Sequence, residues 1–300
     1  MAYDVIILTE DRYENPQKRD WYTLQIMLEE ELLKHALQQA GLKTAVVSWS
    51  NPDFDWRSTQ AILFKSTWDY FHRFDEFSAW LEQVKHHTKA INPIEIIEWN
   101  LNKKYLIDLH NKGIRIVDSL VIEQGQQTAL EPYFEQFNVS ELIVKPLVSG
   151  AARHTYKVNA SNLTEVQKNF DQLIQAEGFL IQPFQQNVIT QGEISLMIMG
   201  GEFTHAIQKI AKPGDFRVQD DFGGTVHPYF ANAEEIKFAE QAVAACDPMP
   251  LYARVDVIRD NNNQLALMEL ELIEPEVFFR FNQAATFKLA DAVVDFLNQN

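Results

Sequence analysis

The spacing of hydrophobic positions changes along the chain, and each change marks a new kind of element. Residues 3–8 (YDVIIL) read as a buried strand, apolar but for Asp4. Residues 21–40 carry the three-to-four-residue spacing of an amphipathic helix, closed by Gly41. Residues 43–49 and 61–64 predict two more strands and residues 75–87 a second helix. Strands alternating with helices predict a parallel sheet with helical crossovers, which gathers ligands beyond the carboxyl ends of its strands. Those ends are Thr9-Glu10-Asp11 and the segment KSTWDY, 65–70.

INPIEI, around Pro93, reads as a linker. Beyond it the pattern predicts one helix over 95–111, a strand in RIVDSLVI and a helix near 128–137. The strands ELIVKPL and ARHTYKV follow, then a helix over 162–176 and the strand FLIQPF, ending at Phe184. From there the alternation is antiparallel in character: EISLMIM, a Gly200-Gly201 turn, then EFTHAIQKI. A flexible segment, KPGDFRVQDDFGGT, leads to a helix over 233–245, a hairpin, and a last helix over 283–297. The expectation is a three-part chain of α/β and α+β character, divided as 1–93, 94–184 and 185–300.

Composition narrows the partners. At 46% hydrophobic residues the chain can build sizeable cores, and a net charge of −16 with no basic run argues against a nucleic acid held by its phosphates. Cys246 is the single cysteine, so there is no intrachain disulfide and no zinc-ligand spacing. No apolar stretch approaches the ~20 residues of a membrane span, and the N-terminus lacks a signal-peptide pattern. No membrane partner and a cytoplasmic location are the expectations.

The hairpin strands YARVDVI (252–258) and LALMELEL (265–272) carry the sharpest chemistry. Pairing about an Asn262-Asn263 turn sets Asp256 opposite Glu269 and Arg254 opposite Glu271, all on one face. Directly opposed like charges destabilise a sheet, so Asp256 and Glu269 call for a cation beyond Arg254. An all-oxygen set of this kind suits Mg²⁺. A solvated outer face with an Arg–Glu pair is the competing reading, and an odd-length turn would slide the register.

Magnesium held by carboxylates commonly carries phosphates as well. Lys145 stands at the end of a buried strand, before Ser149-Gly150-Ala151-Ala152, whose small side chains let backbone N–H groups approach a phosphate. Lys104 lies in the predicted helix over 95–111, and Arg217 in a glycine-flanked loop. Taken singly, each is an ordinary residue.

Their order resembles the ATP-grasp superfamily: helix lysine, strand lysine with a small-residue loop, QPF, loop arginine, then Asp…Glu-x-Glu. The likeness is greatest to the branch of bacterial glutathione synthetase and the ribosomal-protein-type glutamate ligases, and spans about 100–280. The resemblance implies an ATP-grasp fold behind an N-terminal parallel-sheet domain. It implies that Lys104 and Lys145 hold ATP phosphates, with Ser149, Gly150 and Ala151 in the mobile phosphate loop. Gln182, Pro183 and Phe184 would form the hinge that reads adenine, and Glu193 would take the ribose hydroxyls. Asp256, Glu269 and Glu271 would carry Mg²⁺, and Arg217 and Arg254 would stabilise the transferred phosphoryl group.

The sequence departs from that pattern in three places. The phosphate loop is poor in glycine, Glu271 stands where asparagine is common, and Ser195 replaces an arginine that contacts the peptide substrate of glutathione synthetase. STWDY (66–70) and ELELIEPE (269–276) look most like ligases that cyclise O-ureidoserine in cycloserine biosynthesis. The implied activity is ATP-dependent activation of a small amino-acid-like carboxylate as an acyl phosphate, attacked by an amine or internal nucleophile. Trp68, Asp69, Tyr70 and Arg73 are then the candidate substrate contacts, and pairing into homodimers is common in such folds. A non-catalytic ATP-binding regulator and a nucleotide-independent Mg²⁺ hydrolase remain the alternatives.

Overall fold

The computed structural model describes residues 1–218 and 223–299 and arranges them in three sheets. The first is parallel: β1 (Tyr3–Thr9), β2 (Thr44–Ser48), β3 (Thr59–Ser66) and β4 (Lys89–Ile91), in the order β2-β1-β3-β4. Helices Trp21–Gln39 and Phe74–Val84 make its crossovers. The first is started by Asp20, whose carboxylate accepts the Thr23 N–H at 3.0 Å. Central β1 is the continuous apolar strand of a sheet covered on both faces.

The second sheet is antiparallel, with β5 (Leu120–Ile122), β6 (Leu142–Pro146), β7 (Tyr156–Val158) and β8 (Phe179–Pro183) in the order β5-β8-β6-β7. The third is also antiparallel: β9 (Glu193–Met199), β10 (Glu202–Ile210), β11 (Thr225–Tyr229), β12 (Tyr252–Arg259) and β13 (Leu265–Glu271), in the order β11-β10-β9-β12-β13. Of the segment read as a loop over 212–225, residues 219–222 lie outside the described residues.

Two expectations are corrected. The stretch read as a linker, 91–96, begins at Ile91, the last residue of edge strand β4, and runs into the helix Ile94–Asn100, with Asn92 between them fully buried. Its amide donates to the Tyr252 and Leu272 carbonyls at 2.9 and 2.8 Å, and its carbonyl accepts the Leu251 N–H at 2.6 Å. The single helix over 95–111 is in fact two, Ile94–Asn100 and Tyr105–Asn111. The break follows Asn100, whose side chain is committed to β13, donating to the Leu270 carbonyl at 2.8 Å and accepting the Leu272 N–H at 3.0 Å. In the turn between them the Lys103 N–H donates to the Leu147 carbonyl at 2.8 Å.

The last helix, Ala284–Gln299, does not stay with the third sheet. Its Leu289 and Val293 share a core with Val5, Ile7 and Leu33 of the first lobe and Met197 and Tyr252 of the third sheet. The first and third sheets are therefore joined by common apolar packing rather than by a hinge alone.

Candidate active site

The hairpin holds the register that opposes its charged residues, by a route the sequence did not show. Near the turn Ile258 pairs with Ala266 and Arg259 with Leu265, which is the slid register of an odd-length turn. Asp260 organises that turn, its carboxylate accepting the Asn262 and Gln264 N–H groups at 2.9 Å each, and Asn263 takes φ +59°. A bulge at Met268 then inserts one residue into β13 and restores the frame. Asp256 thus faces Glu269, and Arg254 faces Glu271.

Carboxylate oxygens of Asp256, Glu269 and Glu271 lie within 4.8 Å of one another. Three cations close round them. Arg254 grips Asp256 in fork geometry, Nε to Oδ1 at 3.0 Å and Nη2 to Oδ2 at 2.9 Å, and its Nη2 also pairs with Glu271. Lys209 Nζ reaches Asp256 at 3.2 Å and pairs with Glu193, while Lys103 pairs with Glu269. Ser195, next to Asp256 on β9, donates its hydroxyl to that carboxylate at 2.5 Å. So the position that departs from glutathione synthetase is spent on holding Asp256.

Burial opposes the charge of all three acids, and their neighbours decide the result. Arg254, Lys209 and the Ser195 hydroxyl outweigh burial at Asp256 and hold it below the usual carboxylate range. Lys103 and Lys145 do the same for Glu269. At Glu271 burial prevails, aided by Asp256 and Glu269, and its carboxyl is pushed upward. A trio that cannot keep all its charges is short of positive charge, and its all-oxygen donor set fits Mg²⁺.

Glu269 and Glu271 of the trio line a cavity of about 750 Å³ reached by all three sheets. From the second sheet come Lys145, Gln182 and Pro183, with Ser149, Gly150, Ala151 and Phe184 close behind; burial pulls the Lys145 ammonium down. Gln182 donates to the Ser119 hydroxyl at 2.8 Å, and Phe184 stacks edge-on to Phe216 at 6.0 Å. Glu193, Arg217 and Arg254 line the same space, as do Trp68, Asp69 and Tyr70 from the first lobe. Arg217 also clamps Asp215, Nη2 to Oδ2 at 2.7 Å.

The glycine-poor loop does what glycines would do. Ala151, Ala152 and His154 take φ of +47°, +54° and +50°, conformations that L side chains adopt only at a cost. The one glycine is required for space: a Cβ on Gly150 would sit 2.5 Å from Cε1 of Phe71. Arg153, paired with Glu177 and donating to the Val148 carbonyl at 2.9 Å, pins the loop from behind.

Two expected residues fall elsewhere. Lys104 points away from the cavity to Glu123 at 2.8 Å, and its neighbour Lys103 lines the cavity instead, because the helix break shifts the inward face by one residue. Arg73 is not among the lining residues; it holds Asp69 from behind at 2.8 Å, with Glu76 at 2.5 Å, and lies over Trp49 at 4.6 Å. Sequence reasoning missed Lys103 and Lys209. The second was within reach, since Lys209 pairs directly with Glu193 across β9 and β10, an opposite-charge pair on a buried face.

The family described as RimK-like ATP-grasp domain matches residues 103–276, and the N-terminal domain of D-cycloserine synthetase DcsG matches residues 5–92. The cycloserine biosynthesis protein DcsG of Streptomyces lavendulae is 27% identical over 282 residues, covering 88% of this chain and 92% of that protein. The crystal structure of D-cycloserine synthetase DcsG superposes with a TM-score of 0.84 at 25% identity, over 98% of this chain and 99% of that one. D-alanine–D-alanine ligase from Bacillus anthracis shares the fold at a TM-score of 0.66 and 13% identity, over 99% of this chain and 98% of that one. No described helix is long and apolar enough to cross a membrane. With a family match over more than half its length and the carboxylate hairpin in register, this chain belongs to the RimK-like ATP-grasp family.

Proposed function

We propose that the chain is an ATP- and Mg²⁺-dependent ligase that activates a small amino-acid-like carboxylate as an acyl phosphate for attack by a nitrogen nucleophile, in the same molecule or another. The observation that carries this reading is the trio Asp256, Glu269 and Glu271, within 4.8 Å of one another at the edge of a cavity lined by Lys103, Lys145, Lys209, Arg217 and Arg254. The names of the DcsG relatives point to a cyclising ligase, and their likeness covers nearly the whole of both chains.

Phosphoryl transfer asks a protein mainly for positioning and charge neutralisation, and the roles divide accordingly. Lys103 and Lys145 hold ATP phosphates, Lys103 taking the place expected of Lys104, with the loop at Ser149, Gly150 and Ala151 closing over them. Gln182, Pro183 and Phe184 receive adenine and Glu193 the ribose. The trio holds Mg²⁺, which when bound neutralises charge on the β- and γ-phosphate oxygens. Arg217 and Arg254 stabilise the phosphoryl group in transfer. Trp68, Asp69 and Tyr70 face the carboxylate substrate, so that residues 1–93 form the substrate side and residues 94–184 and 185–300 clasp the nucleotide.

The test is release of ADP and phosphate with Mg²⁺ and ATP against pools of amino acids, dipeptides and O-ureidoserine. Release that depends on one pool and disappears in Asp256→Asn/Glu269→Gln is the expected result. Binding of ATP without release from any pool would favour a regulatory nucleotide site instead.

A further inference from the structure

Among the described residues six carboxylates line the cavity, and five of them are paired to a cation: Asp69 to Arg73, Glu193 to Lys209, Glu269 to Lys103, Glu271 to Arg254 and Glu276 to Arg280. The sixth, Glu274, has no ion pair among the described residues. Its carboxyl lies near the Tyr70 hydroxyl, and its backbone carbonyl accepts Trp68 Nε1 at 2.8 Å. Tyr70 is 4% exposed, so the phenol is a fixed support. Glu274 therefore sits where the substrate-facing aromatics of the first lobe meet the end of β13, three residues beyond the last of the trio. A carboxylate that lines the cavity and has no cation paired to it is equipped to take a proton.

We propose that Glu274, which lines the cavity beside Tyr70, is the general base for the nucleophile; this rests on the ligase reading above. In the step it serves, the nitrogen attacks the acyl carbon and the N–C bond forms. The bond from that carbon to the phosphate oxygen breaks, inorganic phosphate leaves with the electron pair, and the nitrogen's proton passes to Glu274. The other groups that face it are Lys103 from the break between helices, Glu269 and Glu271 on β13, and Tyr252 on β12. Burial, opposed by the nearby Tyr70 hydroxyl and Lys103 and reinforced by Glu269, pushes the Glu274 carboxyl up to about 7, a suitable range for a base working near neutral pH.

The experiment separates the two half-reactions, with O-ureidoserine as the acid and hydroxylamine as a trap for acyl phosphate. In Glu274→Gln, product formation falls about 10²–10⁴-fold, while trapped hydroxamate stays near the wild-type level. Tyr70→Phe removes a neighbouring hydroxyl that favours the ionised carboxylate, so the acidic limb of its kcat profile moves to higher pH. This second variant serves if the first does not fold. Loss of hydroxamate in step with product, or full product formation in Glu274→Gln, or an unmoved limb in Tyr70→Phe, overturns the proposal. Wild-type protein that releases no ADP in the pooled assay defeats the ligase reading itself, and the base with it.

Discussion

The hairpin β12–β13 and the carboxyl edge of the first sheet both bury acids, and they balance them in opposite ways. At the hairpin Glu269, Glu271 and the cations Lys103, Lys209 and Arg254 face a cavity, so an arriving phosphate or metal ion can recruit either partner. At the first sheet Glu29 is sealed. It accepts Lys65 Nζ at 2.5 Å and the Val277 and Phe279 N–H groups at 2.8 and 3.3 Å, while Lys65 also donates to the Pro275 carbonyl at 2.5 Å. Neither residue lines the cavity. The pair is a brace that fixes the chain after β13, with Glu274 in it, to the first lobe. Glu30 beside it has an oxygen without a partner, and burial pushes its carboxyl up to about 7. Access to the cavity, not acidity or depth, separates a site from a brace.

The comparison breaks or sharpens in a series of substitutions. The largest effect belongs to the hairpin: Glu269→Gln should lower substrate-dependent ADP release about 10²–10³-fold, as loss of one preorganised electrostatic group does elsewhere. The protein should stay folded by circular dichroism, and near-normal turnover would remove Glu269 from the site. Lys65→Met acts on the other side, leaving the Glu29 carboxylate buried without its counter-ion. We expect a loss of about 3–5 kcal/mol in urea unfolding, and a midpoint equal to wild type would refute the brace.

Glu30 gives a pH test with a definite sign. Its folded-state pKa, about 7, lies above its ordinary value of 4.5, so between those values the folded protein holds a proton that the unfolded chain has released. Stability therefore falls as pH rises through that window and levels off above it. Glu30→Gln should flatten this part of the melting-temperature profile, and an unchanged slope would assign it to other groups. The smallest effect concerns the phosphate loop. Ala151→Gly should raise stability by up to about 1 kcal/mol through relief of a positive φ, read as a shift in thermal midpoint. A loss there would mean that the alanine methyl makes contacts that outweigh its backbone cost.

The legible parts of the site were those written in short-range pattern. The Glu-x-Glu alternation, the partner Asp256 and the turn-forming asparagines predicted a register that the structure shows. They did so although the turn is odd-length, because the Met268 bulge compensates and a bulge leaves no mark in period-two alternation. Lys103 was lost to Lys104 because the helix break depends on where the Asn100 side chain bonds, 170 residues away in sequence at Leu270. β11 and β4 went unread because short edge strands carry too few residues to show a period. Arg73 was misplaced because a charged residue beside two aromatics looks the same whether it faces a ligand or braces the residue that does.

The sequence alone determined the alternating elements of the first lobe, the antiparallel hairpin, its charge pattern and the order of motifs that marks the family, since each is set within one strand, helix or turn. Only the tertiary structure decided which lysine enters the cavity, that Ser195 and Lys209 serve Asp256, and that Glu274, among the described cavity carboxylates, has no ion pair. Those facts depend on side chains far apart in the chain meeting across sheets, where burial and the nearest counter-charge fix the state of each acid.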